Sequence, residues 1–115
     1  MAKPRFTPGP WRWEPEGIFA DKGRKEYLVA EVDGDGVLPA EEYDANARLI
    51  VAAPEMYEAL RKALPLLENE REVLIRSYSN PDSKEILDPD ALADIAVINR
   101  AIHAIETALA KAEGQ

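Results

Sequence analysis

A proline at position 54 stands inside the most helix-prone stretch of the chain, residues 44–56. Alanine is the best helix former, and Leu49, Ile50, Ala53 and Met56 recur at helical spacing, so the stretch predicts a helix with Asp44 as its N-cap. Pro54 removes one backbone donor, and its ring crowds the carbonyl four residues earlier. The chain must either kink there or restart, with Pro54 in a new first turn and Glu55 near the positive end of the dipole. Asn46 shares the face of Leu49, Ile50 and Ala53. A buried amide needs partners, because an unpaired one costs roughly 1–3 kcal/mol. The stretch separates a strand-rich segment, residues 1–43, from a helical one, residues 44–115, within what reads as a single domain.

Before this junction the signals are those of strands and turns. Thr7-Pro8-Gly9-Pro10 suits neither a helix nor a central strand. Trp11-Arg12-Trp13 alternates in the strand manner, with both indoles on one face, and Glu14-Pro15-Glu16-Gly17 reads as a turn. Ile18-Phe19-Ala20 is a short strand, Asp21-Lys22-Gly23 a hairpin loop with Gly23 at positive φ, and Tyr27 to Val32 the clearest strand. The acidic turn at 33–36 invites a calcium loop, but the fifth ligand position falls on Val37, so a metal is not expected.

After the junction, Met56, Leu60, Ala63, Leu67, Val73 and Leu74 carry a helix to about Tyr78, with a second kink expected at Pro65. Ser79 to Lys84 is loop by composition. Asp88-Pro89 opens another helix, in which Leu92, Ile95, Ile98, Ile102, Ile105 and Leu109 form a packing stripe and Gly114 a stop. The resulting fold class is α+β: a small N-terminal antiparallel β-meander, a kinked helix and an antiparallel C-terminal helical hairpin. Such a hairpin outruns a three-strand sheet. Its leftover apolar surface predicts a homo-oligomer, a dimer or higher.

Composition narrows the function. A net charge of −8 across 115 residues argues against duplex nucleic acid as a partner. No apolar run is long enough for a bilayer, no signal peptide is visible, and the absence of cysteine agrees with a cytoplasmic protein. One histidine and no cysteine leave no metal triad and no recognisable nucleophile, so neither enzyme activity nor a cofactor is expected. His103 reads as a half-exposed structural residue. Residues 44–79 are nearly balanced, with five Lys/Arg against six Asp/Glu, and four of the five cations are arginine.

The remaining chemistry is that of binding. Trp11, Trp13 and Tyr57 can stack on a ring; Arg12, Arg48, Arg61 and Arg100 can hold phosphates; Asn46 and Asn99 can read a base edge. Each has a plainer reading. The indoles can close the meander onto the helices, Asn46 can tie backbone, and the arginines can pair along a solvated helix face.

Pro8-Gly9-Pro10-Trp11, Asn46-Ala47-Arg48-Leu49-Ile50 and Ala52-Ala53-Pro54-Glu55, in that order, resemble a group of small phage and prophage proteins. Ala108-Leu109-Ala110-Lys111-Ala112 fits the same pattern, while residues from about 68 to 88 are longer than usual there. In architecture the chain is similar to phage sponge proteins of the Thoeris anti-defence type, which sequester cyclic ADP-ribose-type signals, some also cyclic oligonucleotides, without cleaving them. The resemblance implies a phage protein in the host bacterial cytoplasm that binds a small nucleotide ligand and so counters antiviral defence. The chemistry then places Trp11, Arg12, Trp13, Asn46, Arg48, Tyr57 and Arg100 at ligand sites between subunits. The alternative is an acidic protein-interaction module, an inhibitor or adaptor for a host or phage protein. Convergence of the indoles and Arg48 on a pocket favours the first reading; indoles spent on the core favour the second.

Overall fold

The computed structural model describes residues 5–23, 25–32 and 38–115. The 33–36 turn and Val37 lie outside the described residues. Three strands, β1 (Trp11–Glu14), β2 (Gly17–Lys22) and β3 (Lys25–Ala30), are followed by two helices, α1 (Ala40–Tyr78) and α2 (Pro89–Ala112). The α+β meander-then-helices architecture is the one expected. The chain divides into two compact units, Met1–Glu58 and Ala59–Gln115, so α1 contributes residues 40–58 to the first and 59–78 to the second.

In the first unit, β1, β2 and β3 form an antiparallel sheet in sequence order. Pro15 and Glu16 turn the first hairpin, and Glu14 pairs with Gly17. The second hairpin closes more tightly than expected, since Lys22 pairs with Lys25 and only Gly23, at φ 69°, takes the loop position foreseen for it. Asp21 and Lys22 belong to β2, and β3 stops at Ala30 rather than Val32. A register shift between Ile18 and Phe19 marks a bulge, which bends the strand and adds twist.

Helix α1 begins four residues earlier than Asp44. The Pro39 carbonyl accepts from the backbone N–H groups of Glu42 and Tyr43, both at 3.1 Å, and Glu41 and Glu42 occupy the first turn. Two carboxylates at the positive end of the dipole favour that start over one at Asp44. Nor does the helix restart at Pro54: it is continuous through Pro54 and Pro65 to Tyr78.

The buried face of this part of α1 carries Ala47, Pro54 and Tyr57 rather than Asn46, Leu49 and Ala53, all three of which are exposed. The displaced donor at Pro54 is offset by packing. A Cβ built on Gly9 would lie 2.7 Å from the Pro54 Cβ, so only glycine lets the Thr7–Pro10 segment lie this close to the ring. Ile18, Ala20, Ala47 and Tyr57 complete the core of the first unit.

In the second unit, residues 59–78 of α1 and all of α2 make the antiparallel hairpin. Asp88 caps α2 by accepting from the N–H groups of Asp90 and Ala91 at 2.9 and 3.0 Å, with Pro89 opening the helix. Gly114, at φ 81°, ends it: its N–H reaches the Lys111 carbonyl, and that of Gln115 reaches Ala110. This is the paired hydrogen bonding of a Schellman motif. The stripe on α2 runs through Ala91, Ile102 and Leu109, with Ile95, Ile98 and Ile105 half-buried, whereas Leu92 is exposed. Leu92 sits one residue round from the seam, which the small Ala91 occupies instead. On α1, Met56 and Val73 are likewise exposed, one residue round from the packed positions Tyr57 and Leu74.

Candidate functional site

Strand alternation divides the first unit's binding-type side chains between two faces. Trp11 lies opposite Ala20 and Trp13 opposite Ile18, on the face whose β2 residues are wholly buried. The Trp11 indole donates its Nε1–H to the Thr7 carbonyl at 3.0 Å and meets Phe6 edge-on at 6.4 Å. Phe6 in turn stands edge-on to Tyr57 at 4.8 Å, and Trp13 lies 6.1 Å from the Tyr43 ring. The indoles, Phe6 and Tyr57 therefore join the sheet to residues 40–58 of α1. They supply core contacts, the plainer of the two readings.

Arg12 points to the other face. Its guanidinium donates from Nε to Glu14 at 3.1 Å, from Nη1 to Asp21 at 2.9 Å, and from Nη2 to Glu26, while lying 5.8 Å from the Phe19 ring centre. The hydrogen bond with Glu14, followed by that with Asp21, raises its pKa above the ordinary arginine value. Three carboxylates already surround this cation. An incoming phosphate would have to displace them and face their repulsion.

The other expected ligand groups lie apart. Asn46 and Arg48 are exposed on α1. Nine residues separate Arg48 from Tyr57, which at about 100° per residue puts them on opposite sides of the helix. Arg100 is exposed on α2, in the other compact unit, and its neighbour Asn99 accepts from Arg71 at 3.0 Å. His103 is exposed rather than half-buried. Among the described residues, no group of His, Asp and Glu is placed to hold a metal ion.

A concavity does exist, lined by residues that carry no binding pattern in the sequence. Pro15, Glu16, Gly17, Glu31, Val32 and Tyr43 surround an open depression of about 320 Å³ beside the first hairpin. The two-residue turn contributes Glu16, the residue after β3 is Glu31, and the start of α1 supplies Tyr43. Glu16 and Glu31 are exposed, while Gly17 forms a buried part of the wall. A depression lined by two glutamates and a tyrosine favours a cation and repels an anion. The Glu-Pro-Glu-Gly turn was the only signal in the sequence, and it carries no information about Glu31 or Tyr43.

The family model described as Salmonella phage P22 protein Y8K6 matches residues 1–115, the whole chain. The chain belongs to that family. The expected phage grouping is thereby established at this level. No curated protein and no solved structure matches the chain. Among the described residues, no helix is long and apolar enough to cross a membrane.

Proposed function

We propose that this phage protein is an interaction module that works in the host cytoplasm by engaging a basic surface on a host or phage protein. It acts as an inhibitor or adaptor, by binding and without chemistry. The observation that carries this reading is the depression lined by Glu16, Glu31 and Tyr43. A partner lysine or arginine entering it meets two carboxylates and can lie against the Tyr43 ring, a contact that desolvation strengthens. The net charge of −8 steers a basic partner toward the molecule and raises its association rate.

Nucleotide sequestration asks for a different arrangement, with stacking rings and free cations facing one space. Here the indoles are engaged in the sheet–helix core and Arg12 in carboxylate pairs, while Arg48 lies across the helix from Tyr57. Thermal unfolding against a panel of cyclic oligonucleotides and cyclic ADP-ribose isomers separates the readings. A ligand at 100 times its dissociation constant adds about 2.7 kcal/mol, a rise of several degrees. The interaction module leaves the midpoint unchanged across the panel. A rise with one ligand, recovered intact after heating, overturns the proposal in favour of sequestration.

A further inference from the structure

The second unit exposes apolar side chains in an ordered way. The Arg71–Asn99 hydrogen bond sets the register of the antiparallel hairpin and marks one of its two broad sides. Relative to the Leu67 and Ile102 seam positions, a turn of about 100° per residue sends Leu66 and Val73 of α1 to the opposite side from Arg71. The same count sends Val97 and Ala104 of α2 to the opposite side from Asn99. Stepping from the Arg71–Asn99 pair, Val73 falls level with Val97 and Leu66 level with Ala104, so these residues share one continuous side. Leu66 is 71% exposed, Val97 55% and Val73 38%.

The charges on this side are sorted by end. Lys62 lies at the end where α1 enters the hairpin; Asp90 and Asp94 lie at the end where α2 begins, and all three are exposed. We propose that this side is the interface between two copies of the chain, packed as a four-helix bundle about a two-fold axis perpendicular to the helices. That axis reverses one hairpin on the other and sets the Lys62 end of each against the Asp90 and Asp94 end of its mate. An axis parallel to the helices would bring like charges together, so charge complementarity selects the reversed packing. Twenty helical residues at 1.5 Å each, two helices wide, give a face of roughly 30 by 20 Å. Its relief brings it toward the roughly 800 Å² per partner of a standard interface. Ala101, Ala104 and Ala108 let the facing backbones approach closely. Glu70 alone places a charge near the middle, and the dimer must turn it outward.

Sedimentation equilibrium of the full chain tests this. The wild type is expected to reach the mass of two copies at micromolar concentration. Leu66→Glu with Val97→Glu should weaken association at least tenfold, on the order of 1.4 kcal/mol, while leaving the helical circular dichroism intact. Lys62→Glu should weaken it and the added Asp94→Lys restore it, whereas Glu70→Gln should tighten it. A wild-type monomer at 100 µM (on the order of the weakest useful affinity) overturns the proposal. So does a dimer indifferent to these substitutions. Neither result bears on the acidic depression, which lies in the other unit.

Discussion

Gly17→Ala is expected to lower the unfolding free energy by roughly 3 kcal/mol, combining backbone strain with overpacking. Gly17 adopts φ 148°, a region that side chains rarely enter, directly after the Pro15–Glu16 turn. A Cβ there would come within 2.8 Å of the Ala30 carbonyl oxygen and of Leu28 Cδ1. The leucine tip can rotate away, but the carbonyl belongs to β3 backbone and cannot yield without breaking sheet pairing. At roughly 4 °C per kcal/mol for a domain of this size, the midpoint should fall by about 10 °C. Thermal unfolding followed by far-ultraviolet circular dichroism reads it directly. A loss below about 1 kcal/mol would mean that the turn relaxes without cost.

Ile18→Ala should cost about the same, in the range of roughly 2–5 kcal/mol, but by the opposite mechanism of an unfilled cavity. Among the described residues, Ile18 is the largest side chain with no exposed surface, and it lies opposite Trp13 on the buried sheet face. Urea unfolding distinguishes this substitution from Gly17→Ala. Ile18→Val removes one methyl and should cost only about 1 kcal/mol, whereas no conservative replacement for Gly17 exists. If Ile18→Ala and Ile18→Val are indistinguishable, the sheet face is not tightly packed around Ile18.

Local chemistry made much of the fold legible. Asp88-Pro89 opens α2 and Gly114 closes it because capping is decided within a few residues of the helix end. The indole alternation in β1 likewise follows from strand geometry alone. Helical phase was harder to read. Leu49, Met56, Val73 and Leu92 share the periodicity of packed residues but are exposed, because nearby residues, Ala47, Tyr57, Leu74 and Ala91, occupy the packed positions instead. A pattern of apolar residues fixes the period, and the packing partner fixes which neighbouring stripe is buried.

Pro54 shows the same limit at another scale. Alone it reads as a helix break, yet α1 is continuous across it, and Gly9, forty-five residues earlier, lets the chain pack closely on its ring. The Pro-Gly-Pro-Trp and Ala-Pro-Glu segments thus meet in the first unit, where Gly9 lies against Pro54. Their packing role is structural, and a ligand role for Trp11, Trp13 and Tyr57 does not follow from them. The depression was illegible for a related reason. Glu16, Glu31 and Tyr43 come from a turn, a strand end and a helix start, and only the folded unit brings them to one rim.

The most direct test of the acidic depression is quantitative affinity capture from extract of a phage-infected host. The immobilised wild-type chain is compared with the E16K/E31K double variant. Both glutamates are exposed, so the variant should fold with stability within about 0.5 kcal/mol of wild type. A basic partner is expected to be held by the wild type, released as salt rises, and recovered at least tenfold less with the variant, about 1.4 kcal/mol of lost binding. Equal recovery by both proteins, or no partner retained by the wild type, would contradict it.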